Sequence, residues 1–302
     1  MKFSFLRMLM IAAVGLLWAA APAGAAQQAG SDRAARIREE ASKPTPRLAD
    51  GHADLSGNWS DPPAPPLEIV RSADGKTLTV LDLDAPELDV KGQPGFKARA
   101  ADRSRRPPYK PQFVTKQREL MFTASLADPG IHCYPLGVPR LGPPTEIAHM
   151  PHVIYFMYEG GAARPGQRDF RIIPIGGKHQ TDRDPFPNGD SIAYWEGDTL
   201  VVDVVNIDPD TWLDNDGDFH DENLHVIERF TRKGDALEYD LAIEDPTIFT
   251  APWKPVYAGA RVRLGSRLGA NALLLREGVH DNEEDYACVE RDREHKVNND
   301  RQ

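Results

Sequence analysis

Cysteine is scarce in this 302-residue chain, which has two, Cys133 and Cys288. Two thiols in an oxidising compartment favour one bridge over a metal site or a catalytic thiol, with two separate buried thiols as the alternative. Several signatures are missing altogether: no phosphate-binding loop, no dinucleotide fingerprint, no G-x-S-x-G elbow and no cysteine-nucleophile motif. Cofactor-dependent chemistry is disfavoured on that ground, and no cofactor is expected. Basic residues are in deficit, 36 against 46 acidic, for a net charge of −10. A polyanion is repelled by such a chain, so nucleic acid is not an expected partner. The one basic cluster, Arg103, Arg105, Arg106 and Lys110, lies among Pro107, Pro108 and Pro111 and reads as a solvated loop.

Long apolar runs are absent beyond the N-terminus. There, Lys2 and Arg7 precede an apolar stretch from Met8 to Ala21, followed by the small residues around Ala25. That order is a secretory signal peptide, and the stretch is too short to span a bilayer. Residues 1–25 are therefore read as a removed leader, which makes the mature net charge two units more negative. A periplasmic or secreted location without membrane insertion is the expectation. Residues 26–53 are polar and read as a flexible tether, with one short helix at Asp32–Ser42; residues 54–290 read as one β-rich domain and 291–302 as a polar tail.

Helical spacing of apolar residues is nearly absent from the second half. The spacing predicts one helix at Thr115–Ala127 and strands at Thr77–Leu81, His152–Glu159, Asp169–Ile175, Ser191–Trp195, Thr199–Ile207, Leu224–Arg232, Ala236–Glu244, Val256–Leu264 and Ala272–Glu277. Glu196-Gly197-Asp198 and Lys233-Gly234-Asp235 mark tight hairpins. The expected fold is mainly β, an antiparallel meander closing into a lipocalin-like barrel or a sandwich, with one or two short helices. The strand Leu200–Val205 is apolar on both faces, so its second face needs a cover.

Four segments occur in order: Cys133-Tyr134-Pro135-Leu136-Gly137-Val138-Pro139-Arg140, Trp195-Glu196-Gly197-Asp198-Thr199-Leu200-Val201-Val202-Asp203, His220 to Phe230, and Asp245-Pro246 followed by Pro252-Trp253. Together they resemble a widespread family of uncharacterised secreted bacterial proteins. The resemblance covers residues 54 to 290 and implies export and single-domain extent, with no reaction attached. This chain departs from the pattern just before the Trp195 strand, where Asn188-Gly189-Asp190-Ser191 stands in place of an expected histidine.

Asp203 is the most informative residue for function. An ionised carboxylate among Val201, Val202, Val204 and Val205 is costly unless donors or a cation meet it. If its face lines a barrel cavity, Asp203 is a general base or substrate anchor; the plain alternative is an ion pair with Arg171 or Arg229. Alternation puts His225 and Arg229 on one face, with Glu228 on the other beside Val226 and Phe230. His220, on an acidic loop, and His179, after Gly176-Gly177-Lys178, complete the catalytic candidates. Arg171, Arg229, Trp212 and Trp195 are candidates for substrate binding, although such aromatic residues more often fill a core.

No metal site is expected. Pro151 separates His149 from His152, and Gly217 falls in the wrong place among Asp214, Asp216 and Asp218 for an EF-hand, which leaves only a loose Ca²⁺ loop as an alternative. The reading that joins these residues is a cofactor-independent enzyme. It would work by acid–base catalysis in a barrel cavity on a small apolar or phenolic molecule, as an isomerase, hydratase or lyase. The alternatives are a non-catalytic small-molecule binding protein of the same fold and an envelope interaction protein, in which the second apolar face forms a homodimer.

Overall fold

A computed structural model describes residues 35–60, 68–71, 78–81, 106–158, 169–180, 182–214, 217–255 and 272–276. Its strands are β1 (Gly57–Ser60), β2 (Glu68–Arg71), β3 (Leu78–Leu81), β4 (Glu146–Met150), β5 (Val153–Tyr158), β6 (Asp169–Pro174), β7 (Asp190–Glu196), β8 (Thr199–Val205), β9 (His225–Lys233), β10 (Ala236–Glu244) and β11 (Ala272–Arg276). The pair β2–β3 is an antiparallel hairpin in a unit separate from the rest. The other nine strands form one sheet in the order β6-β5-β4-β1-β11-β10-β9-β8-β7, and every adjacent pair is antiparallel. Its two ends meet in a parallel bridge between Ile175 and Ala193, so the sheet is a nearly closed barrel.

The meander follows from its turns. Glu196 pairs with Thr199, and Lys233 pairs with Ala236, which leaves two-residue connections at Gly197-Asp198 and Gly234-Asp235. Gly197 and Gly234 take φ of +61° and +55°, a region that side chains disfavour. The predicted strand Val256–Leu264 lies outside the described residues. The helix predicted near residue 120 begins earlier, at Pro111, where a proline fits the first turn; it runs to Phe122, and a second short helix spans Ala124–Ala127.

Alternation decides what fills the barrel. Leu200, Val202 and Val204 of β8, Val226 and Phe230 of β9, and Leu237, Tyr239, Leu241 and Ile243 of β10 point inward and join Trp59, Ile147, Ile154, Phe156 and Ile173 in one core. Phe230 sits between Phe156 and Tyr239, with ring centroids 4.9 Å apart on each side.

Residues 35–53 differ from a loose tether. A helical segment at 35–41 seats Ile37 against Ala236 and Leu274, and Ala53 is fully buried. Gly234 N–H donates to Thr45 Oγ1, Lys43 pairs with Asp235, and Arg47 reaches Asp198. A polar composition concealed this docking, because the anchors are backbone groups and scattered small apolar side chains. Cys133 is disulfide-bonded; Cys288 lies outside the described residues.

Candidate active site on the outer face of the barrel

The interior expected around Asp203 is not where its side chain goes. Leu200, Val202 and Val204 occupy the inward positions of β8, so Asp203 faces outward with Val201 and Val205. The sequence alone did not reveal this, because both faces of β8 are apolar and Val201 is fully buried on the outer one. His225 and Arg229 share that outer face on β9. Nor does an arginine hold Asp203. Arg229 pairs with Glu196 at 2.7 Å, and Arg171 lies inside the barrel.

Three of the four catalytic candidates nevertheless converge. Asp203 Oδ1 lies 2.8 Å from His225 Nε2 and 3.2 Å from His179 Nε2. Behind His179, Asp190 Oδ2 takes the Nδ1 contact at 2.8 Å and also accepts the Gln180 N–H at 2.8 Å. Behind His225, Glu244 Oε2 stands 3.8 Å from Nδ1. The result is a chain of five ionisable side chains, Asp190, His179, Asp203, His225 and Glu244, drawn from β7, β8, β9, β10 and the loop after β6. Ile192 and Ile227, in register with Asp203 on either side, form an apolar floor.

Hydrogen-bond chemistry constrains the protons in this chain. A carboxylate only accepts, so His179 carries a proton on Nδ1 toward Asp190. Its Nε2 faces a second carboxylate, which also receives His225 Nε2. For both contacts to be hydrogen bonds, His179 must be doubly protonated, or a proton must reside on Asp203 and be shared. The side chains of His179, Asp203 and His225 are 20%, 23% and 31% exposed, so solvent or a ligand reaches them.

His220 is apart from this chain. It is buried in the loop before β9, with Nδ1 2.9 Å from the Asp221 carbonyl and Nε2 2.9 Å from Thr211 Oγ1, and burial lowers its pKa. Trp212 is buried and bridges to Phe219. Trp195 stacks on His52 at 4.5 Å and lies 5.7 Å from His149, away from the Asp203 chain. Asp214 and Asp218 are buried together on Arg106, at 3.3 and 3.2 Å. Burial and the neighbouring Asp214 raise the Asp218 pKa well above the ordinary carboxylate range; Asp216 lies outside the described residues. Among the described residues, no three His, Cys, Asp or Glu side chains are grouped so as to hold a metal ion.

The sequence reading missed a second charged group, inside the barrel. Arg171 Nη1 donates to Glu228 Oε2 at 2.6 Å and to Tyr158 Oη at 3.1 Å, and Tyr239 Oη donates to Glu228 Oε1 at 3.0 Å. Burial opposes the charge on Arg171, yet Glu228 and Tyr158 hold its pKa above the ordinary value. Glu228 is the partner, and its signal lay in the alternation that grouped it with Val226 and Phe230.

No family model, curated protein or solved structure matches the chain. The resemblance to a secreted family thus rests on the four motifs alone.

Proposed function

We propose that the chain is an exported, cofactor-independent enzyme that moves protons on a small, largely apolar or phenolic molecule, as an isomerase, hydratase or lyase. One observation carries this reading: the Asp203 carboxylate is bracketed by two imidazole Nε2 atoms, each backed by a further carboxylate, at a partly exposed apolar surface. The substrate rests on Ile192 and Ile227. Asp203 takes a proton from it as general base, and His225 relays that proton outward. His179, protonated between Asp190 and Asp203, returns a proton at a second atom. With His179 reprotonated from solvent, the proton count is unchanged over one turnover, as an isomerase requires; in a lyase the returned proton goes to the leaving group, and in a hydratase Asp203 takes its proton from the adding water while His179 returns one to carbon. Asp190 and Glu244 act as positioning residues that orient the two rings.

The reading is tested by screening the mature protein against phenolic and unsaturated acids for proton exchange into solvent deuterium, followed by Asp203→Asn. Asp203→Asn should lower exchange by about 10²–10⁴-fold while the protein stays folded. Binding without exchange in the wild-type protein would replace the enzyme with a binding protein of the same fold.

A further inference from the structure

The outside of the barrel does not follow one pattern. On β10, Glu238, Asp240 and Glu244 turn outward, as a sheet with one solvated face requires. On β4, β5 and β6, alternation sends Ile147, Ile154, Phe156 and Ile173 into the core, and the side chains left outside are apolar as well. They form a grid three strands wide. Its middle row is Ala148, Tyr155 and Ile172, in register across the strands. Met150, Val153 and Pro174 make the row at one end, and Glu146, Met157 and Phe170 the row at the other.

Glu146 is the one charged residue in this grid. Phe170 is 64% exposed, Ile172 56% and Met150 50%. Large apolar side chains left bare side by side mark a surface that another molecule covers. From strand spacing and rise the grid spans roughly 300 Å². That suits the apolar centre of a standard interface, which takes about 800 Å² from each partner and surrounds its centre with a polar rim. The second face of β8 offers no such patch, since Val201 is fully buried on it.

Charge selects the partner. The exposed carboxylate of Glu146 stands at one end of the grid, and His152, exposed in the turn between β4 and β5, stands at the other. A second copy laid face to face with its strands reversed brings each Glu146 against the turn of the other copy that holds His152. The alternative two-fold, with strands running the same way, gathers both Glu146 carboxylates at one end. An anionic lipid surface is opposed by the net charge of −10.

We propose that the outer face of β4, β5 and β6 binds a second copy of this chain, the two sheets packed face to face about a two-fold axis that runs across the strands. Facing sheets lie about 10 Å apart with their side chains interdigitated, so Tyr155 and Ile172 meet their own counterparts near the axis. This surface is separate from the chain of histidines and carboxylates on β7 to β10. It does not depend on proton chemistry there.

Sedimentation equilibrium of the mature protein, from about 1 to 200 μM, is the test. A reversible dimer is expected, with Ile172→Asp raising its dissociation constant at least about tenfold, because both copies then bury an unpaired charge. Glu146→Lys should weaken the dimer about three- to tenfold, and adding His152→Glu should recover most of that loss. Asp203→Asn should dimerise as the wild type does. The proposal is overturned if the protein stays monomeric over this range, if Ile172→Asp leaves association unchanged, or if adding His152→Glu weakens it further. A monomer that instead binds phosphatidylcholine vesicles through Phe170 and Ile172 would assign the face to lipid and overturn it too. Should Ile172→Asp not fold, Phe170→Lys decides in its place.

Discussion

Two charged clusters sit on opposite faces of the barrel wall, the inner one built from β5, β6, β9 and β10 and the outer one from β7 to β10 and the loop after β6, and they obey different rules. Inside, Arg171 and Glu228 are 3% and 1% exposed; one cation meets one anion, and both Glu228 oxygens are engaged. Outside, two imidazoles face three carboxylates at exposures of 12% to 44%. Deep burial enforces charge balance, because an unmatched ion in the core costs several kcal/mol. Partial exposure tolerates the surplus of carboxylates over imidazoles on the outer face.

This contrast can be broken by measurement, and the inner cluster should give the largest effect. Glu228→Gln leaves the Arg171 guanidinium buried without its counter-ion and should cost about 3–5 kcal/mol in urea unfolding. A cost below about 1 kcal/mol would mean that the interior is wet and the balance rule does not apply.

Acid should destabilise the fold next. Burial lowers the pKa values of His149 and His220 below the ordinary 6.5, so the folded chain keeps them neutral. Below that pH the unfolded chain takes up protons that the folded chain refuses, and stability falls. Melting temperature should drop from pH 7.5 to 5.5, and His220→Gln should flatten the profile; a profile that this variant leaves unchanged would show His220 to be solvated. Asp218 works in the opposite sense. Its raised pKa lets the folded chain hold a proton that the unfolded chain has released above about pH 4, so its contribution weakens as pH rises through that window. Asp218→Asn should remove this decline, as read from melting curves between pH 5 and 8.

The smallest change in stability belongs to the outer face. Asp203→Asn should alter unfolding free energy by less than about 1 kcal/mol, in keeping with partly exposed ion pairs, while abolishing proton exchange. If its cost matches that of Glu228→Gln, the outer cluster is structural and the comparison collapses.

Much of the architecture was legible in the sequence. The hairpins at Gly197 and Gly234, the alternation of β9 and β10, and the mainly β, barrel-like character all follow from local pattern. The orientation of β8 did not, because Leu200 to Val205 offers apolar side chains to both sides and parity alone cannot label one as interior. Asp203, His225 and His179 were singled out, yet their meeting depends on a loop that returns from β6 over β7. That is a long-range fact with no local signature. The partnership of Arg171 with Glu228 was hidden for the same reason, since 57 residues separate them.

The pairing of β1 with β11 has a consequence for how this molecule comes to exist. Trp59 stands opposite Leu275, and Ile37 rests on Leu274, so the earliest-made part of the barrel waits for one of the last. A ribosome releases the chain from its N-terminus, and until the residues near 275 have emerged β1 has only β4 beside it. Joining the two halves of the sheet is therefore a late event with a large loop-closure cost.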